Sequence, residues 1–402
     1  MFSFTSRSAH LARKRIFAPV YSRSSVHSPH VQNILRTRTT KLIRFLLHQT
    51  SASRTGRTGH LVPRNFFRPL GADILTAFAF SDAEGTNFLD KLRPGANTMQ
   101  ELGMDIWELW HEDKRDSFFF FESQPELKRF AKLFAPHGRG VHARFEAWVV
   151  SVMKQYEAHM SSIVKVESEE KESSEQGVYW RLLTYKSPTT RQPLPWNERA
   201  SEIMDHMGAG HDPVPCTLEL LMQKLTHHPE HQTRLRNEIR SHLSRDVDAR
   251  TYGQIDKMPF LNALILETLR VIETIETYQP RLVPAGGCTI EGYYLPEGTV
   301  VSTQPHLINH HPDIFPAPEK FDPDRWLVDN REEYLRLYKH MFTFSSGPRS
   351  CMGRELAMAM MKTALVDIYM DFSTTLIPEA DKMWKSGDEA YKAEVYFEKV
   401  EW

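Results

Sequence analysis

The sequence predicts a mainly α fold with a small β part, and three observations carry that reading. Stretch after stretch of the 402 residues repeats its apolar side chains at helical spacing. One segment, Arg281 to Val301, instead alternates short apolar pairs with Gly286, Gly287, Gly292, Pro296 and Gly298, the pattern of small β-hairpins. The composition, 41% hydrophobic and 25% charged, is that of a globular chain rather than a disordered, collagenous or disulfide-dense one.

Along the chain, Val31 to Gln49 is the first strongly periodic helix, with Val31, Ile34, Leu35, Leu42, Phe45 and Leu46 on one face. Leu70 to Phe80 (LGADILTAFAF) is apolar almost all round, which predicts an interior helix. Phe145, Trp148, Val149, Val152, Met153 and Tyr156 predict another amphipathic helix, and the acidic, serine-rich Glu167 to Gly177 a solvated loop. Pro188, Pro193 and Pro195 lead into a long helix from about Trp196, and helices continue to about Glu276. Within them His227-His228-Pro229-Glu230 reads as a break and restart, with Pro229 in a first turn. Leu261, Leu264, Ile265, Leu269 and Ile272 form the stripe of the helix before the hairpins. Pro312, Pro316, Pro318 and Pro323 mark an irregular stretch, and a last helix runs from about Cys351 to Phe372. There is no internal repeat, and no apolar run is long enough for a transmembrane helix.

Fifty Lys and Arg against 51 Asp and Glu give a net charge of -1, which argues against nucleic acid as a partner. Cys216, Cys288 and Cys351 cannot build a disulfide framework, so a reducing environment is expected. Charge is unevenly placed: Met1 to Leu70 holds thirteen Lys or Arg, and the first acid is Asp73. Two readings are open, a basic surface on folded helices or a presequence ending before about residue 25.

The chemistry concentrates in Phe344-Ser-Ser-Gly347-Pro-Arg349-Ser-Cys351-Met-Gly353, just ahead of the last helix. A cysteine before a helix gains from the positive end of the dipole, which favours thiolate. Gly347 and Gly353 permit a tight loop, and Arg349 is placed to meet a carboxylate of whatever the sulfur binds. Neither other cysteine has the spacing for zinc or an iron–sulfur cluster, whereas haem needs one ligand only. Glu267 and Arg270, at i and i+3, share a helix face among leucines and isoleucines. Their burial calls for a further partner, for which Arg325 in Phe321-Asp-Pro-Asp-Arg325-Trp326 is the candidate. His227, His228 and His231 have metal-like spacing, yet at a helix junction they read as solvent-facing, and His306, His310 and His311 read the same way.

The cysteine loop, the Glu267–Arg270 helix and the FDPDRW segment, in this order and spacing, resemble the cytochrome P450 family of haem-thiolate monooxygenases. Ala209-Gly210-His211-Asp212 and Pro280-Arg281 add to the likeness, which runs from about residue 10 onward and is nearest in style to filamentous-fungal members that tailor secondary metabolites. The resemblance implies haem b with Cys351 as its axial ligand, Phe344 packed on the thiolate loop, and propionate contacts from Arg349, Arg281, and His10 with Lys14 or Arg15. It implies a structural charge network of Glu267, Arg270 and Arg325, and an oxygen-side helix carrying Ala209, Gly210 and Asp212. It also implies a small lipophilic substrate and electrons from NADPH–cytochrome P450 reductase, steered by the basic amino-terminal segment. Phe118 to Phe121 falls where members place the roof of the substrate channel, with ordinary core packing as the alternative.

Two departures stand out. After Asp212 the family carries Thr, where this chain has Pro213-Val214-Pro215, so a kink replaces the hydroxyl and Thr217 lies about one turn on. The family's anchor helix, first helices and part of its sheet have no counterpart ahead of His10. The expectation is thus a single, amino-terminally truncated domain over 1–402, with 1–8 disordered and with unpaired strand edges and exposed apolar surface. The resemblance places members on the endoplasmic reticulum; without an anchor, the cytoplasm is the alternative. Function divides accordingly between a monooxygenase, a non-catalytic remnant, and a haem-thiolate enzyme performing an oxygen-independent rearrangement.

Overall fold

The computed structural model describes residues 7–53, 55–59, 61–93, 104, 138–163, 177–272, 279–376 and 395–400. The Phe118–Phe121 run and Glu167–Gly177, apart from Gly177 itself, lie outside the described residues.

The basic start is part of the fold. Helix α1 (Arg7–Phe17) sends Ile16 and Phe17 into the core, and its Arg13 pairs with Glu198. Residues 7 and 8, expected to be disordered, form its first turn. After the short α2 (Arg23–Val26), α3 (Pro29–Ala52) starts at Ser28, whose hydroxyl accepts the Val31 N–H at 3.4 Å. Helix α4 (Arg64–Ala79) begins earlier than the apolar run suggested, taking Pro69 into its second turn, and is buried continuously from Phe66 to Ala79. It lies between α3 on one side and the oxygen-side helices on the other.

Helix α5 (Gly138–Ile163) buries Phe145, Val149, Met153 and Tyr156, the face its periodicity named. The short α6 (Val178–Thr184) leads to α7 (Trp196–Gly210) and α8 (Pro213–His227). The expected kink is a full break, because Pro213 has no N–H to continue the ladder and instead opens a new helix at its first position. Helix α9 (Pro229–His242) restarts after His228, as the sequence indicated, and α10 (Tyr252–Asp256) and α11 (Pro259–Val271) follow.

Strands β1 (Gln279–Leu282), β2 (Cys288–Ile290), β3 (Tyr293–Leu295) and β4 (Val300–Thr303) make two antiparallel pairs, β1 with β4 and β2 with β3. The β2–β3 turn needs positive φ at both of its central residues, 48° at Glu291 and 82° at Gly292. These pairs expose apolar side chains, Leu282, Ile290, Tyr293, Tyr294 and Val300 among them. Helices α12 (Pro305–Asn309), α13 (Arg331–His340) and α14 (Arg354–Asp371) complete the body, and β5 (Phe372–Leu376) pairs with β6 (Val395–Lys399). Among the described residues no helix is long and apolar enough to cross a membrane, and all three cysteines are free.

Candidate functional site

Four elements converge on the cysteine loop. The loop closes on itself where Cys351 N–H donates to Phe344 O at 2.8 Å and Ser345 N–H to Phe342 O at 2.8 Å. Ser345 and Gly347 take φ of 57° and 66°, so the backbone demands glycine at Gly347 for conformation. Gly353 is different: its φ is -79°, and a Cβ there would lie 3.9 Å from Tyr21 and 4.0 Å from the sulfur, ordinary contact distances. Phe344 packs against the main core behind the loop. Cys351 sits three residues ahead of α14 rather than in its first turn.

Burial of the sulfur among protein groups pushes the Cys351 thiol above its ordinary value. The N–H groups of Gly353 and Arg354 and the charges of Lys14 and Arg354 oppose that shift. Two backbone N–H groups and two cations therefore flank the thiol.

Lys14 turns out to be a brace. Its Nζ donates to Ser350 O at 2.8 Å and Pro348 O at 3.0 Å, tying α1 to the limb of the loop just ahead of Cys351. Arg15, the alternative to Lys14, is exposed to solvent. His10, one turn before Lys14, is buried, and its Nδ1 has no hydrogen-bond partner among the described residues. Burial, then the charges of Arg349, Lys14 and Arg281, push the His10 imidazole down to about 4. Arg349 is itself lowered by burial and by Arg281. Arg281, on β1, donates to its neighbour Pro280 O at 2.9 Å and reaches Ser345 Oγ at 3.5 Å.

A buried orphan imidazole beside mutually repelling cations is a cradle for carboxylates. With an N–H-flanked thiol next to it, the donor set fits a thiolate-held haem with two propionates.

Behind the loop, Glu267 and Arg270 on α11 are fully buried and bidentate, at 2.7 and 2.9 Å. Arg325 joins Glu267 at 3.5 Å and donates to Pro316 O at 2.8 Å. Trp326 was not anticipated as a member, yet its Nε1 donates to Glu267 Oε2 at 2.9 Å, and Asp322 N–H donates to Oε1 at 3.0 Å. Asn309 is the other addition. Arg270 donates to its carbonyl at 3.1 Å, and its Oδ1 accepts the Phe342 N–H at 2.8 Å, while Thr343 donates to Leu269 O at 2.6 Å. The charge network is therefore joined by hydrogen bonds to the base of the cysteine loop.

On the oxygen side, Gly210 is needed for packing: a Cβ there would stand 2.8 Å from Leu75 of α4. Gly71 of α4 likewise meets Pro215, at 2.7 Å for an added Cβ, so the helix break is pressed against α4. Ala209 is exposed. Asp212 accepts from Arg68 Nη2 at 2.6 Å, a partner 144 residues away that no local pattern signalled. Thr217, the substitute hydroxyl considered from sequence, instead donates to Pro213 O at 2.8 Å within its own helix. His228 and His231, expected to face solvent, are half-buried against Phe321 and Phe260.

Comparison with known proteins agrees with this geometry. A family profile described as Cytochrome P450 matches residues 35–389. The cytochrome P450 monooxygenase avaI of Aspergillus versicolor is 27% identical over 370 residues, covering 89% of this chain and 80% of that protein. The cytochrome P450 monooxygenase poxM of Penicillium oxalicum is 25% identical over 92% of this chain and 67% of its own length. The cytochrome P450 monooxygenase BOT1 of Botryotinia fuckeliana reaches 35%, but over 46% of this chain and 34% of its own length. Among solved structures, the retinoic acid-bound cyanobacterial CYP120A1 superposes with a TM-score of 0.70 at 19% identity, covering 97% of this chain and 79% of that one, which is a likeness of fold.

Proposed function

Since this chain belongs to the cytochrome P450 family, we propose that it is a haem-thiolate monooxygenase. It inserts one oxygen atom from O2 into a C–H or C=C bond of a small lipophilic molecule, a fungal secondary-metabolite intermediate, with electrons from NADPH through a flavoprotein reductase. The observation that carries this reading is the Cys351 thiol between two backbone N–H groups, beside the His10, Arg281 and Arg349 cradle. The haem b that these residues hold supplies the oxygen chemistry when bound.

The chain's own contributions follow from its geometry. Cys351 would hold the haem iron through its sulfur, and Lys14 holds the cysteine loop in place through two carbonyls. Arg349, Arg281 and the Nδ1 of His10 meet the propionates. Glu267, Arg270, Arg325, Trp326 and Asn309 fix the platform behind the loop. Asp212, oriented by Arg68, accepts or hands on a proton with water at the Ala209–Gly210 edge, in a helix without the family's threonine. Arg15 of α1 is exposed, and an acidic reductase docking on that face would be steered by it, so electron transfer slows as salt rises.

The test is the carbon monoxide difference spectrum of the dithionite-reduced chain beside Cys351→Ser. A thiolate-type red-shifted band that disappears in the variant supports the reading; absence of the band from the parent chain overturns it. One observation favours a second reading, an oxygen-independent rearrangement on the same thiolate-held haem: Pro213 replaces the hydroxyl and Thr217 is engaged within its helix. Turnover without reductase separates the two.

A further inference from the structure

Away from the cysteine loop, the described residues bring another set of metal-binding donors together. His228, Glu230 and His231 each offer a ligand atom, and these atoms all lie within 4.8 Å of one another. We propose that this junction binds one borderline divalent cation, zinc foremost, through the two imidazoles and the Glu230 carboxylate, with water completing a tetrahedral shell.

The backbone builds the site. Helix α8 ends at His227, His228 stands between the helices, and Pro229 fixes the first position of α9. The His231 N–H donates to His228 O at 2.9 Å, closing the turn so that both imidazoles rise on one side. Their ring centroids are 5.2 Å apart. Aromatic walls restrict them: His228 stacks on Phe321 at 5.9 Å, and His231 meets Phe260 at 5.8 Å and Phe321 at 6.1 Å. Rings held this way lose less rotamer freedom on ligation than free surface histidines.

The donor chemistry selects the ion. Two imidazoles and one carboxylate suit zinc, copper or nickel rather than calcium or magnesium, and three protein ligands leave a position for water. His228 Nδ1 and Glu230 Oε1 already lie 3.0 Å apart, so these two donors face a common point. Nearby charge balances. Lys224 lies over Phe321 and Arg234 over Phe260, while Arg234 is paired with Asp324 at 2.6 Å and Glu230 faces the ring nitrogens.

The position gives the ion a role. Phe321 is followed by Asp322, whose N–H donates to Glu267. An ion that fixes the imidazoles against Phe321 therefore braces the segment that closes the buried charge network, without touching the cysteine loop.

The test uses the full chain, stripped with EDTA, with its thiols blocked by N-ethylmaleimide so that cysteine cannot bind the ion. Zinc chloride is titrated by calorimetry, and bound zinc is counted after gel filtration. One zinc per chain is expected, with affinity at least about tenfold weaker in Glu230→Gln and binding lost in the His228→Asn, His231→Asn double variant. Glu230 is well exposed, so its variant decides the matter even if the double variant folds poorly. The stacked His306–His310 pair is the control: His306→Asn leaves the count unchanged. The proposal is overturned if zinc fails to bind, if Glu230→Gln binds it as tightly as the parent, or if His306→Asn removes it. None of these outcomes depends on haem.

Discussion

The cysteine side of the molecule and the interrupted α7–α8 helix are built on opposite principles. On the cysteine side, the carboxylate of Glu267 alone takes bonds from Arg270, Trp326 and the Asp322 backbone, with Arg325 beside it. On the oxygen side, Asp212 has its Arg68 partner, but Glu219, further along α8, is buried with its Oε1 lacking a partner among the described residues. The first arrangement is a scaffold that tolerates no loss, the second a place where protons can be held or moved. A buried charge network resists change, whereas an under-satisfied acid responds to pH.

The largest blow to that contrast is Glu267→Ala. Removing the acceptor strands Arg270 at zero exposure, and breaking a buried pair costs about 3–5 kcal/mol. Denaturant unfolding should record that loss, together with failure to retain haem; an unchanged midpoint would mean that the network is dispensable. Trp326→Phe keeps the packing and removes one hydrogen bond to a charged acceptor, for an expected loss of about 1.5–3 kcal/mol by the same assay.

Pro213→Thr sharpens the other half of the comparison. Restoring a hydroxyl beside Asp212 should lower peroxide release per NADPH consumed, and no change would assign proton handling to Asp212 and water alone. The smallest effect is a matter of pH. Burial pushes the Glu219 carboxyl up from 4.5 to about 8, so the folded state holds its proton more tightly than the unfolded chain. Its contribution to stability is full below 4.5 and is lost as pH rises through about 8. The thermal midpoint of the parent chain should therefore fall relative to Glu219→Gln from about pH 4.5 to about pH 8; parallel curves would show that folding does not shift Glu219.

What could be read in the sequence was whatever is local. The Glu267–Arg270 spacing, the cysteine loop, the break at Pro213 and the restart at Pro229 each lie within a few residues, and periodicity or proline chemistry marks them. What escaped was tertiary. Asn309 and Trp326 join Glu267 and Arg270 across 39 and 59 residues, and nothing about an asparagine in a short helix signals its partner. The close crossing of α4 on α8 was equally silent, because Gly71 resembles any small residue until Pro215 is set against it. Lys14 and Arg15 were indistinguishable as neighbouring cations; only the path of α1 over the loop separates them. The histidines at the α8–α9 junction looked exposed because the rings that cover them, Phe260 and Phe321, come from later in the chain.

The brace from Lys14 has a consequence for the order of folding. Its bond to Ser350 spans 336 residues, whereas the hydrogen bonds from Arg270 to Asn309 and Thr343 to Leu269 span 39 and 74. Contacts that close longer loops bear a greater entropic cost and tend to form later. The charge network can therefore assemble as a local nucleus while α1 is still free, and the wall carrying His10 and Lys14 docks last. The cradle would remain open until that final step, leaving a nascent chain a period in which a bulky planar ligand can enter before the first helix shuts over it.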